Sequence, residues 1–207
     1  MAKRTRKRHR LIRRLLLLAL LATCITATAH TAPAARALRR IKALETASVP
    51  EWVQIAYIDN ENARHGIPLS DFRGVVIHYV GNPATTAMAN RNYFNQPTTT
   101  VVSHFVVGLD GEIIQCLPLH ERSVASNNRN RDTISIEVCH PDESGKFNHE
   151  TYASLVRLTA WLCDLGKLDA DDVIRHYDVT GKECPRYYVH HPAAWETLRD
   201  DIRNAQK

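Results

Sequence analysis

The sequence predicts an α/β fold with a central mixed β-sheet flanked by helices. Three observations carry this. Gly74-Val75-Val76-Ile77-His78-Tyr79-Val80 is a β-branched run closed by Gly81-Asn82-Pro83, the pattern of a buried strand and its turn. Thr133 to Cys139 alternates small or polar residues with apolar ones, as a strand does. Thr151 to Leu165 places Tyr152, Leu155, Val156, Leu158, Thr159 and Leu162 at helical spacing.

The other elements follow in chain order. Ala87 to Asn95 reads as a helix stopped near Pro97. Val101 to Val107 is a strand, and Leu109-Asp110-Gly111-Glu112 makes a tight turn into a strand over Ile113 to Cys116. Val173 to His176 is a short strand. Ala193 to about Asn204 is a last amphipathic helix after Pro192. The order β, α, β-hairpin, β, α, β, α suggests one mixed sheet covered by helices. Trp52, Trp161 and Trp195 are assigned to the core.

The net charge of +5 is unevenly spread. Residues 1–44 hold 12 Lys or Arg and no acid. The rest holds 15 Lys or Arg against 22 acids, a formal charge of −7. A basic protein raises the thought of nucleic acid, but here the excess sits on the leader and the remainder would repel phosphates. No nucleic-acid partner is expected. The leader has a cationic start, Lys3 to Arg14, then an apolar stretch from Leu15 to about Ala29. This fits a secretory signal with small residues at Ala27-Thr28-Ala29, or else an uncleaved signal anchor. Three regions are therefore expected: 1–32 as signal peptide or anchor, 33–50 as a tether, and 51–207 as the functional domain. The protein would be extracytoplasmic, secreted or held to the membrane only by its leader, and monomeric.

There are 11 histidines and five cysteines. His65, His149, His190 and His191 sit among polar or turn residues and are expected at the surface. His78, His104, His140 and His176 each lie in or at the end of an expected strand. Cys184 follows His176 by eight residues and precedes Pro185. Imidazole and thiolate suit zinc, and three protein ligands with one open position is a catalytic layout. Cys139 and Cys163 read as buried small apolar residues.

Val75-Val76-Ile77-His78-Tyr79, together with Arg175-His176-Tyr177-Asp178 and Lys182-Glu183-Cys184-Pro185, resembles the N-acetylmuramoyl-L-alanine amidase type 2 family, which includes phage lysins and is similar to peptidoglycan recognition proteins. The resemblance runs from about Arg73 to Arg203 and takes in Ser103 to Gln115 and Thr133 to Val138. It implies a mixed sheet flanked by helices with one Zn2+ in a surface groove, held by His78, His176 and Cys184. It implies Glu137 as general base and Lys182 as a catalytic helper. One position departs: members often carry Tyr where this chain has Ser103, which puts more weight on Glu137.

The implied reaction is hydrolysis of the amide between the lactyl group of N-acetylmuramic acid and L-alanine in peptidoglycan. Zinc activates the water, Glu137 takes its proton, and Lys182 aids the oxyanion. His104, Asn128 and Tyr79 are candidate substrate contacts, Asn128 within the polar run Asn127 to Arg131. Asp178 is a candidate for orienting His176. The alternative function is a peptidoglycan-binding module of the same fold that does not cut.

Overall fold

A computed structural model describes residues 33–207. The expected leader, 1–32, lies outside them, and so do its cleavage site and Cys24. The chain divides into two compact units at Arg39 and Arg40. Residues 33–46 are helical (α1). The unit from Arg40 to Lys207 holds the sheet and the candidate site.

Among the described residues six short strands form one sheet: β1 (Val53–Ile55), β2 (Val75–Ile77), β3 (Phe105–Val107), β4 (Ile113–Gln115), β5 (Ile134–Val138) and β6 (Val173–Arg175). Their order is β1-β4-β3-β5-β2-β6. Only β3 and β4 are antiparallel, joined by the expected hairpin. The other four pairings are parallel. Parallel strands must be covered on both faces, which is why β2 reads Val-Val-Ile without a polar break. Gly111 turns the hairpin at φ +80°, a region open to glycine; a Cβ there would also meet Ser154 Oγ at 2.9 Å.

Side chains alternate across the sheet. Val75, Ile77, Phe105, Val107, Ile134, Ile136 and Val138 face one way. They meet Leu155, Leu158 and Leu162 of α3 (His149–Gly166) and Trp195, Leu198 and Ile202 of α6 (Pro192–Ala205). Val106 and Ile114 face the other way, against Ala87 and Phe94 of α2 (Ala87–Phe94). Gly166 ends α3 where a Cβ would stand 2.5 Å from the Phe72 ring. Residues 40–50, expected as part of a tether, pack on this core: Leu44 is buried, with Ile41, Ala47 and Val49 beside it.

Several local expectations differ from the structure. The third strand begins at Phe105, not Val101, because the Ser103 hydroxyl donates to the Phe105 carbonyl at 2.8 Å and bends the chain. β1 is an addition to the expected elements; with only Val53 of its three residues buried, it carries no alternating pattern. β6 stops at Arg175, and His176 opens a short helix, α4 (His176–Thr180). A second short helix, α5 (Arg186–His190), comes next. Among the described residues Cys116, Cys139, Cys163 and Cys184 are buried free thiols, and no helix is long and apolar enough to cross a membrane.

Candidate metal centre

The site lies at the C-terminal ends of β2, β5 and β6. Alternation sets its geometry. Because Ile77 and Ile136 face α3, His78 and Glu137 face the opposite side, and the parallel register pairs Ile77 with Ile136. The His78 N–H donates to the Ile136 carbonyl at 2.9 Å, which holds the two side chains level.

His176 and Cys184 come from the α4 segment. The Asp178 carboxylate accepts from the Arg175 backbone at 2.8 Å and from its guanidinium at 2.7 Å, fixing the entry to α4. Gly181 ends α4 at φ +77°. The Tyr177 N–H then donates to the Cys184 carbonyl at 2.9 Å. That bond folds Lys182 to Cys184 back over His176.

One ligand atom from each of His78, His176 and Cys184 lies within 4.8 Å of the other two, and all three residues are buried. Each imidazole is held from behind. His78 Nε2 meets Ser126 Oγ at 3.0 Å and His176 Nε2 meets Asn127 Oδ1 at 3.0 Å. This leaves both Nδ1 atoms for the centre. His78 Nδ1 is 3.8 Å from Cys184 Sγ and 3.9 Å from Glu137 Oε1. His176 Nδ1 and Glu137 Oε2 are buried with no hydrogen-bond partner. A buried polar atom left unpartnered costs about 1–3 kcal/mol. The donor set, two imidazole nitrogens and one thiolate, fits a divalent metal of borderline softness.

The electrostatics agree with such a site. Burial holds His78 well below the ordinary histidine value, with the neighbouring His176 and Lys182 adding to the effect. Burial and Lys182 lower His176. Both rings are therefore neutral, as ligands must be. Burial pushes Glu137 up to about 8, and Lys182 partly opposes this. Burial, with Glu137 adding, pushes the Cys184 thiol up to about 12. A bound cation would reverse both of these rises.

The centre lines a cavity of about 360 Å³. Tyr79, Ser103, Glu137 and the exposed Lys182 line it too. The structure thus brings together six of the eight expected site residues: His78, His176, Cys184, Glu137, Lys182 and Tyr79. It does not bring His104. That ring is fully buried, takes the Ser135 N–H on Nδ1 at 3.0 Å and meets the Glu121 carbonyl through Nε2 at 2.8 Å. Both nitrogens are spent on the backbone, so it pins β3 to β5. Asn128 lines a neighbouring cavity instead. Asp178 serves Arg175, and the residue against His176 is Asn127. Sequence reasoning misses Ser126 and Asn127 in these roles because they are distant in the chain from the histidines they touch.

Fold and site together define an α/β domain with a three-ligand candidate metal centre in a groove. The family model described as N-acetylmuramoyl-L-alanine amidase matches residues 68–187, and the chain belongs to that family. A probable N-acetylmuramoyl-L-alanine amidase of Bacillus licheniformis is 31% identical over 146 residues, 63% of this chain and 41% of the relative. The amidase CwlL of Bacillus licheniformis is 28% identical over 160 residues, 69% of this chain and 44% of the relative. The chain thus spans less than half the length of these curated relatives. The solved catalytic domain of XlyA superposes with a TM-score of 0.63 at 27% identity, over 72% of this chain and 98% of that one. PlyL shares the fold, with a TM-score of 0.66 at 18% identity, over 75% of this chain and 99% of PlyL.

Proposed function

We propose that this protein is a zinc-dependent N-acetylmuramoyl-L-alanine amidase, hydrolysing the amide between the lactyl group of N-acetylmuramic acid and L-alanine of peptidoglycan. The observation that carries the reading is the convergence of His78, His176 and Cys184 in one cavity beside the half-buried carboxyl of Glu137. The names of the relatives support the choice of bond.

His78 and His176, each through Nδ1, and Cys184 through Sγ would hold the zinc. Zinc supplies a Lewis acid there and brings the ionisation of water into the neutral range, near pH 7. The chain's own residues do the rest. Ser126 and Asn127 keep the two rings turned so that Nδ1 faces the centre. Glu137 takes a proton from the attacking water and delivers it to the departing L-alanine nitrogen, so the products are a lactyl carboxylate and a free amine. Lys182, an ammonium on the cavity wall, offsets the negative charge that develops on the carbonyl oxygen. Ser103 lines the same wall, but its hydroxyl is committed to the Phe105 carbonyl, so Glu137 carries the proton transfers.

The leader 1–32 is read as an export signal or anchor, which would place the enzyme outside the cytoplasm with its substrate. The test is chelation. Release of soluble material from a purified wall suspension should stop when zinc is removed and return when about one equivalent per chain is restored. Undiminished release by the zinc-free protein would overturn the assignment.

A further inference from the structure

The three candidate ligands have unequal supports. His78 directly follows β2, which lies inside the sheet with β5 on one side and β6 on the other. His176 and Cys184 belong to residues 176–190, a segment of two five-residue helices and the turn between them. So short a helix is not stable alone in water. The segment therefore depends on contacts from outside to keep its two ligands facing His78.

One side chain spans it. Arg175, the last residue of β6, donates from Nε and Nη2 to the two oxygens of Asp178 in α4, at 3.1 and 2.7 Å. Its third nitrogen, Nη1, donates to the Tyr188 carbonyl in α5 at 3.0 Å. The guanidinium carbon lies 5.2 Å from the centre of the Tyr177 ring and 5.4 Å from that of Trp195 in α6. All three helices thus meet on one guanidinium. Cys184 falls in the stretch between its two hydrogen-bonded anchors, Asp178 and Tyr188. The far anchor is itself fixed: the Tyr188 side chain is buried, with its ring centre 4.7 Å from that of Phe147 and 6.4 Å from that of Trp195.

We propose that Arg175 is a positioning residue whose guanidinium clamps the segment bearing His176 and Cys184 to the core, so that both face His78 before any metal arrives. The inference rests on the metal-centre reading and adds to it the group that preforms the site. Lysine cannot take this place. An ammonium has no planar fork, so it cannot hold both oxygens of Asp178 and the Tyr188 carbonyl together. Arg175 touches neither metal nor substrate and acts only through the backbone that carries the ligands.

The test follows Cys184 in the full chain by two readouts. The first is the rate at which a maleimide modifies each cysteine of the metal-free protein, resolved by peptide mass spectrometry. Cys184 is 2% exposed, and Cys116, Cys139 and Cys163 are buried elsewhere in the fold. Arg175→Lys and Arg175→Gln should each speed modification of Cys184 by roughly 10-fold or more, as a local opening does, and leave Cys116 at its wild-type rate. The second is zinc affinity by competition with a chelating dye, which should fall by about 10- to 100-fold in both variants. Leu158→Ala, a cavity under α3 away from the clamp, is the control for lost stability. It should lower Tm yet keep Cys184 slow and the affinity unchanged. A Cys184 that stays slow in both Arg175 variants overturns the clamp. So does a Lys variant that matches wild type, or equal exposure of Cys116 and Cys184, which would make Arg175 a general stabiliser. If the wild type binds no zinc, the metal-centre reading falls, and the labelling rates still decide the clamp.

Discussion

Glu137 Oε1 stands 3.9 Å from His78 Nδ1, and the second oxygen of the same carboxyl is buried with no partner. Two neighbouring parallel strands, aligned Ile77 to Ile136, place a candidate base beside a candidate ligand on one face of the sheet. Glu137→Gln keeps the shape and removes the base. Turnover should fall by about 100- to 10,000-fold, while zinc content measured by atomic absorption stays near one per chain. Loss of the metal together with activity would recast Glu137 as part of the metal shell.

Ser126 and Asn127 are positioning residues. Each bonds the ring nitrogen that faces away from the centre. Ser126→Ala and Asn127→Ala should each weaken zinc binding by about 10- to 100-fold, measured by competition with a chelating dye. Asn127→Asp should restore affinity, since a carboxylate also accepts from Nε2–H. Unchanged affinity in both alanine variants would show that the rings orient themselves.

The fold is legible in the sequence where burial repeats at strand or helix period. β2, β5 and α3 are long or uniformly apolar enough to announce themselves, and so are the hairpin turn at Gly111 and the α6 stripe of Trp195, Leu198 and Ile202. The candidate ligands are legible through the resemblance of short segments around His78, His176 and Cys184. The illegible parts depend on contacts between distant residues. His104 looks like a site residue because it sits on an expected strand beside Ser103, yet the Glu121 carbonyl and the Ser135 N–H consume both its nitrogens. Asn127 reads as part of a polar run and Ser126 carries no signal, until the 3-10 turn over Asn127–Arg131 places them behind the two histidines. The short α4 and α5 carry five residues each, too few for an apolar period to emerge.

The metal-free protein should show a distinctive pH dependence. Burial raises Glu137 from the ordinary 4.5 to about 8. A group raised on folding stabilises the fold fully below its unfolded value and loses that contribution as pH rises through its folded value. Glu137 therefore favours the metal-free fold below about pH 4.5 and ceases to do so by about pH 8. His78, His104 and His176 act in the opposite sense: burial lowers them, so their contribution is lost as pH falls below about 6.5. A comparison of wild type with Glu137→Gln isolates the carboxyl. The melting-temperature advantage of the Gln variant should grow from pH 5 to pH 8 in chelator. A constant difference would mean that Glu137 titrates normally.

Zinc uptake should release protons. With the Cys184 thiol pushed up to about 12 and the ligand histidines already neutral, the free site holds its sulfur protonated at pH 7. Binding should therefore displace a proton from sulfur, with a further share from Glu137, which is raised to about 8 in the free site, and should strengthen as pH rises. Calorimetry in buffers of different ionisation enthalpy measures this directly. Cys184→Ser should lose the sulfur's share of the proton release and most of the affinity. Undiminished proton release in the Ser variant would assign all of it to another group.

The most direct test of the amidase assignment is product analysis by mass spectrometry after incubating the zinc-loaded full chain with purified peptidoglycan. Free stem peptides with new L-alanine amino termini and intact glycan strands are the expected products, with no such peptides released by Glu137→Gln. Wall binding without any new amino terminus, or cleavage within the peptide or the glycan, would contradict it.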